Sequence, residues 1–183
     1  MRRHRLVDGV HFATTGFWLA AILLVGLVAG LTFPTLKDLD PTMLRFDAYG
    51  EDHWSIIGGY LTNPLFGVLR VIQWVCIAIA GVTLLSQLLH RGRGRLISLL
   101  RVVAFLVAVG AVLFDTAVLS GRMQSNLTAF RAAAEAGEID VANTHRDAFD
   151  ADHPTASRTL MINAGAVAVF LGAGIASTGR REP

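Results

Sequence analysis

The sequence predicts an all-α integral membrane protein in which four membrane-spanning helices form a bundle. Hydrophobic residues make up 53% of the 183 residues, whereas charged residues make up only 16%. A soluble domain carries about 25% charged residues, so this chain lacks the polar surface that water requires. The apolar residues also fall into four long runs, and about 20 such residues suffice for a helix to cross the hydrocarbon core.

The four runs belong to a single domain with no linker between them. The predicted spans cover about residues 10–33, 64–89, 96–120 and 158–179. The first run follows the basic segment MRRHR. It is longer than the roughly 7–15 apolar residues of a signal peptide and is not followed by a small-residue cleavage pattern. We therefore expect it to be a retained membrane helix.

Prolines mark the expected limits of three spans. Proline has no backbone N–H to continue a helix, so Pro34 is expected to end the first span. Its fixed φ suits the first helical turn, so Pro64 and Pro154 are expected to open the second and fourth spans. Residues 35–63 then form a loop, and residues 121–157 form a helical hairpin between spans three and four.

Two further local features concern helix ends and packing. Gly137 follows a run of good helix formers and is expected to cap the first helix of the hairpin. Gly26 and Gly30 form a GxxxG pattern in the first span. Small residues let helices approach closely in lipid, and we expect this pair to pack within the bundle, with packing on another subunit as the alternative.

The distribution of basic residues predicts the orientation. Arginines cluster at the N-terminus, in the turn HRGRGR between spans two and three, and at the C-terminus. Residues 37–52 instead hold two basic and five acidic residues. Because cytoplasmic segments carry the excess of Lys and Arg, both termini are predicted to be cytoplasmic and the hairpin extracytoplasmic. The basic fringe faces anionic lipid rather than nucleic acid.

Three ionisable residues lie within the predicted spans. At about 1.5 Å per residue, Arg70 lies roughly 9 Å and Asp115 roughly 7 Å inside the outer ends of spans two and three. We therefore predict an ion pair between them that sets the register of the two spans, with an ion or proton path as the alternative. Arg101 lies about 21 Å from Asp115. It is expected to extend to the inner phosphates or to meet Asp8.

Histidines supply two candidate ligand sets. His11 and His90 lie at the cytoplasmic ends of spans one and two, where they could ligate a haem axially; alternatively, they are interfacial residues. The outer segments contain His53, His145 and His153 among carboxylates such as Asp152, which together could bind a transition metal or a partner. Their spacing matches no zinc motif. The alternative is a solvated hairpin in which Asp152 caps the helix that Pro154 opens.

Three segments carry a family resemblance: HFATTGFWLAAILLVGLVAGLTFPTL, TNPLFGVL and FDADHPTASRTLMIN. Together they resemble a bacterial four-span family related to eukaryotic transmembrane protein 205, which is distantly similar to copper-resistance D and protoporphyrinogen-oxidase-like membrane proteins. The resemblance implies a four-helix bundle without established catalytic residues. It also implies a polar series at the outer entrance of the last span, in which His153 is the residue most worth mutating. The series is Phe149, His153, Ser157 and Asn163.

The resemblance bears on haem chemistry in two ways. A first-span histidine such as His11 is shared with the haem-linked relatives. Their functional lysine has no counterpart, because the only lysine of this chain is Lys37 in the outer loop. The resemblance therefore does not imply their enzymatic activity.

The sequence contains no nucleophile–base set and no phosphate-binding glycine loop. We expect a non-enzymatic accessory or assembly subunit, or a metal-handling protein, that acts through the outer hairpin and the lateral helix surfaces. The alternatives are a haem-binding redox or haem-pathway protein and a small oligomeric transporter. Expected partners are the bilayer and a larger membrane complex or further copies of the chain. Haem b or a transition metal is the candidate cofactor.

Overall fold

The computed structural model describes residues 2–50, 53–90 and 95–178, and every regular element in these ranges is helical. The elements are α1 (Arg2–Leu39), a 3₁₀ helix (Leu44–Tyr49), α2 (His53–His90), α3 (Arg95–Phe114), a π-helical segment (Asp115–Leu119), α4 (Ser120–Ala136) and α5 (Ile139–Thr178). Four helical stretches are long and apolar enough to cross a membrane. The prediction of an all-α, multi-pass membrane protein is therefore confirmed.

The helices are much longer than a bilayer requires. α1 and α2 have 38 residues each and α5 has 40. At 1.5 Å per residue such a helix is about 57–60 Å long, roughly twice the thickness of the hydrocarbon core. The third stretch likewise stays helical from Arg95 to Ala136 through the π-helical segment. Each apolar run is thus continuous with a long helical extension.

The predicted limits at the three prolines are wrong. Pro34, Pro64 and Pro154 all lie inside helices, because α1 continues to Leu39, while α2 and α5 begin at His53 and Ile139. A proline removes one backbone hydrogen bond, and in helices of this type neighbouring helices and local adjustments compensate for the loss. Much of the predicted loop 35–63 is consequently helical.

The end of α4 follows the expected chemistry. Gly137 has a φ of 74°, in the left-handed region that a residue without Cβ adopts readily. Its N–H donates to the Ala134 carbonyl at 3.3 Å, and the Glu138 N–H donates to the Ala133 carbonyl at 2.9 Å. This pair of bonds is a Schellman motif, which satisfies carbonyls at the helix end. α5 begins two residues after Gly137.

The chain divides into two compact units. The first unit comprises Met1–Leu23, Leu69–Leu113 and Thr159–Pro183, and the second comprises Leu24–Val68 and Phe114–Arg158. In the first unit Ala80, Leu84, Ala104 and Phe170 form a buried cluster. Its alanines allow close helix approach where lipid offers no hydrophobic driving force.

The second unit has an aromatic and alanine-rich core. Tyr49 and Phe130 pack edge to face with ring centroids 5.6 Å apart, an arrangement that the ring quadrupoles favour. The buried members of the core are Phe46, Tyr49, Ile56, Leu127, Phe130, Ala133, Ala134 and Ala142. The 3₁₀ helix, α4 and the ends of α2 and α5 that belong to this unit therefore share one core.

The GxxxG prediction is corrected. A Cβ atom at Gly26 or Gly30 would meet no heavy atom of the described residues within 4 Å. α1 is also the least buried of the four spanning stretches, with 11% of its apolar window buried against 33% in α2. Within the described residues the two glycines therefore do not mediate packing inside the bundle.

Candidate functional site

The most unusual feature of the first unit is a polar cluster inside its apolar helices. Its members are Asp8 and His11 of α1, Thr83 and Gln87 of α2, and Arg101 of α3. All five are buried, and Arg101 is only 1% exposed. Because an unsatisfied polar group in hydrocarbon costs several kcal/mol, roughly 2–7 in transfer measurements, such a cluster persists only if its members bond to one another.

His11 is held from both sides of its ring. Its Nδ1 lies 2.8 Å from Thr83 Oγ1, and its Nε2 lies 3.1 Å from Arg101 Nη2. The Thr83 hydroxyl donates its one proton to a backbone carbonyl of its own helix, that of Ile79 at 2.9 Å or Ala80 at 3.0 Å. Thr83 Oγ1 therefore accepts from His11 Nδ1–H, and the Nε2 lone pair accepts from Arg101. These contacts assign a neutral imidazole with a fixed tautomer.

Arg101 connects His11 to an acidic residue through Gln87. Its Nη2 donates to Gln87 Oε1, and Gln87 Nε2 donates to Asp8 Oδ1 at 3.0 Å. The guanidinium also lies 6.0 Å from the Phe170 ring centroid, within cation–π range. The expectation that Arg101 extends to the inner phosphates is wrong, because its side chain is buried and its Nη2 contacts buried acceptors of two other helices. Asp8, the other predicted contact, belongs to the same network.

Gly174 of α5 lies beside the polar cluster. A Cβ atom at Gly174 would lie 3.1 Å from Phe12 Cε1 and 3.7 Å from His11 Nε2. The α5 backbone therefore approaches the imidazole closely, and a larger residue would displace it. Sequence reasoning missed Thr83, Gln87 and Gly174. A usable signal was the spacing of Thr83 and Gln87, because residues four apart lie on one face of a helix.

A second polar contact lies in the same unit. Gln73 Oε1 accepts from Asn163 Nδ2 and lies 3.5 Å from the indole Nε1 of Trp18. All three side chains are buried. Asn163 is thus the buried member of the series that carries the family resemblance. Ser157 and His153 of that series are exposed.

The outer histidines have separate partners. His53 Nδ1 accepts from the Met43 N–H at 2.9 Å, and His145 Nδ1 lies 3.2 Å from Asn126 Oδ1. His153 packs on Phe149 with ring centroids 5.8 Å apart. In the part of the chain that the structure describes, no three His, Cys, Asp or Glu side chains come together as metal ligands. These histidines therefore do not meet as metal ligands among the described residues, and a partner site that includes them stays a prediction.

Asp152 has a different role from the predicted cap. It lies in the interior of α5, and its carboxylate accepts from both Nε and Nη2 of Arg122. The capping prediction is wrong because α5 begins at Ile139 rather than at Pro154. Together with the contact between His145 and Asn126, this ion pair ties the first part of α5 to α4.

His11 and His90 are the two candidate haem ligands. Both ring nitrogens of His11 form hydrogen bonds, so an iron ion would have to displace Thr83 or Arg101. His90 is the last residue of α2, and its side chain lies outside the described part of the structure. The described residues therefore provide no open imidazole ligand at this end of the helices.

Arg70 lies in α2, and Asp115 is the first residue of the π-helical segment. The Ser120 N–H donates to the carbonyl of Asp115, five residues earlier in the chain. A hydrogen bond of this spacing is typical of a π-bulge. Both charged side chains engage in interactions. Their pairing with each other stays a prediction.

Polar contacts in the second unit lie around its aromatic core. The Tyr49 hydroxyl donates to Asn143 Oδ1 at 2.9 Å and accepts from Arg146 Nη1 at 3.0 Å. Arg45 and Glu135 form an exposed ion pair at 2.8 Å. The hydrogen bond from Arg45 to this carboxylate and the opposite charges raise the pKa of Arg45 above its usual value.

No known protein family, curated protein or solved structure matches this chain.

Proposed function

We propose that the chain is a non-enzymatic accessory or assembly subunit of the bacterial cytoplasmic membrane. One observation carries this proposal. The helical extensions of the second unit pack around their own aromatic core and end in ordered caps, whereas a membrane anchor needs only about 20 apolar residues per span. A folded polar module of this size suits binding to another protein. The resemblance to the family related to transmembrane protein 205 is compatible with such a role and stays a prediction.

The proposed topology places both termini in the cytoplasm and the α4–α5 hairpin outside. The arginine-rich segments at the two termini and in the HRGRGR turn support it through the preference of basic residues for the cytoplasmic side. The hairpin itself contains charged residues of both signs. Such a segment is stable in water on either side, so basic residues elsewhere decide the orientation.

Cysteine accessibility tests this topology. Cys76 is buried and is the only cysteine, so Cys76→Ala provides a clean background. In intact cells, a membrane-impermeant maleimide should label Asp150→Cys in the hairpin and leave Gly94→Cys in the arginine-rich turn unlabelled. Labelling of the turn alone would invert the topology.

Purification in mild detergent tests the role. The 19.7 kDa chain should elute in a colourless, metal-free complex of larger mass that contains a second protein in fixed ratio. Leu44 is 95% exposed on the 3₁₀ helix, so Leu44→Asp should weaken the complex without unfolding the chain. Leu6→Asp is the matched control on the first unit, where Leu6 is 68% exposed. A Soret band that disappears in His11→Ala, or metal in stoichiometric amount, would replace this proposal with the haem or metal alternative.

A small oligomeric transporter is the second candidate. It is favoured by the buried cluster around Arg101 and His11, since ionisable residues inside membrane helices often mark ion or proton paths. Proteoliposomes containing the chain should then show proton or anion flux that His11→Gln abolishes. Flux equal to that of empty liposomes would exclude this role.

A further inference from the structure

Arg131 of α4 differs from two other arginines of the second unit. Arg45 pairs with Glu135, and Arg122 pairs with Asp152. Arg131 has no carboxylate partner among the described residues, although it is more enclosed than either. Arg131 is thus an enclosed cation without a carboxylate partner among the described residues.

The Arg131 guanidinium lies flat against α2. Its central carbon is 3.8 Å from the centroid of the Tyr60 ring. Its Nε and Nη2 are buried and have no hydrogen-bond partner among the described residues. A Cβ atom at Gly59 would lie 3.0 Å from Nη2. Gly59 therefore lets the guanidinium lie close to the helix, where the Tyr60 ring provides a cation–π contact.

The unpaired nitrogens form the edge of the guanidinium that binds oxyanions. In Arg122 the same two nitrogens, Nε and Nη2, donate to both oxygens of Asp152. Two parallel N–H donors of this kind match two oxygens of a carboxylate or a phosphate. The two hydrogen bonds together are stronger than a contact with a single donor. A partly buried donor without an acceptor is costly, so an anion that fills this edge gains binding energy.

We propose that Arg131 and Tyr60 form a binding site for a phosphate oxyanion from outside the chain. The enclosed atoms are Nε and Nη2, so Nη1 is the nitrogen that an approaching phosphate meets first. Tyr60 is 38% exposed, and its hydroxyl can donate a second hydrogen bond. Rotation of the long Arg131 side chain then turns the Nε–Nη2 edge from α2 towards the phosphate.

Phosphate fits this site for two reasons. The guanidinium supplies the positive charge and a planar set of donors, and neither described ion pair of the second unit uses it. The phosphate can belong to a lipid headgroup or to a free ion, because both present the same oxygens. The site does not depend on the proposed assembly role, and its failure would leave that role unaffected.

A thermal unfolding series tests the site and separates the two sources. In dodecyl maltoside, inorganic phosphate should raise the unfolding midpoint above that in chloride at equal ionic strength, which controls for screening. Inorganic phosphate should act in detergent in either case, because both sources present the same oxygens. In nanodiscs, phosphatidylglycerol should raise the midpoint above that in a phosphate-free galactolipid if the ligand is a lipid headgroup, and equal midpoints in the two lipids identify the free ion.

Variants assign the response to Arg131. Arg131→Gln should weaken phosphate binding about tenfold or more, because it removes the charged fork. Arg158→Gln is the matched control, an exposed arginine of the same unit, and should bind as the wild type does. Arg131→Lys keeps the charge without the fork and should bind more weakly than the wild type even if Arg131→Gln fails to fold. The proposal is overturned if both Arg131 variants respond as the wild type does, or if the wild type responds to neither ligand.

Discussion

The two units of this protein use polar residues in opposite ways. In the first unit an arginine and a histidine are fully buried, whereas leucines such as Leu85 and Leu106 are exposed. In the second unit the buried cluster is aromatic and alanine-rich, whereas the ion pair between Arg45 and Glu135 is exposed. The same helices contribute residues to both clusters, so burial rather than secondary structure distinguishes their polar residues.

This difference has an energetic consequence. A polar contact in the first unit has no water to replace a lost partner, so breaking it should be expensive. An exposed ion pair in the second unit can be replaced by solvent, so breaking it should cost little. Substitutions in the two units can therefore contradict or refine the comparison.

The largest effect is expected for Arg101→Ala. It leaves His11, Gln87 and Asp8 buried without the donor that connects them, which should lower the free energy of unfolding by about 3–5 kcal/mol. Circular dichroism during unfolding in mixed detergent measures this change. Arg158→Ala removes an exposed arginine of α5 and is the control. Equal losses in the two variants would show that the buried cluster does not stabilise the first unit.

Tyr49→Phe tests a polar contact at the edge of the second core. The ring remains and keeps its contact with Phe130, but Asn143 and Arg146 each lose the hydrogen bond to the Tyr49 hydroxyl. We expect a loss of about 1–3 kcal/mol, because the partners are partly buried. The same unfolding measurement applies. An unchanged stability would mean that water replaces the Tyr49 hydroxyl as completely as it does at an exposed pair.

Gly137→Ala tests the turn between α4 and α5. Alanine must adopt a positive φ, and its Cβ would lie 3.2 Å from that of Ala48, so we expect a loss of about 1–2 kcal/mol. Gly121→Ala is the matched control, because this helical glycine has open space around it. That variant should be more stable by about 0.5–1 kcal/mol. Changes of the same sign in both variants would contradict the backbone argument.

The smallest effect is expected for Arg45→Ala. Both partners of this ion pair are exposed, so the unfolding midpoint should not change measurably. Raising the salt concentration should likewise leave the wild type and the variant indistinguishable, because exposed pairs are already screened. A clear destabilisation would mean that the second unit depends on surface charge more than the comparison allows.

Local rules for helix ends predicted some elements of the fold correctly and others incorrectly. Gly137 was predictable because a single backbone conformation selects glycine at that position. The local rule failed at Pro34, Pro64 and Pro154. It considers only the one backbone hydrogen bond that a proline removes, whereas packing along helices of about 40 residues keeps the neighbouring turns in place. His53, His145 and His153 do not meet as metal ligands among the described residues, because their shared predicted side of the membrane does not require their side chains to converge.

The all-α class and the four stretches able to cross a membrane follow from the amino-acid sequence, because apolar run length and charge content act independently of which helices become neighbours. The polar cluster depends on tertiary contacts, since His11 meets Thr83 and Arg101 across separations of 72 and 90 residues. Tertiary structure likewise decided that Arg122 has a carboxylate partner and Arg131 has none among the described residues. Such contacts depend on which helix faces are brought together, and no local pattern encodes that.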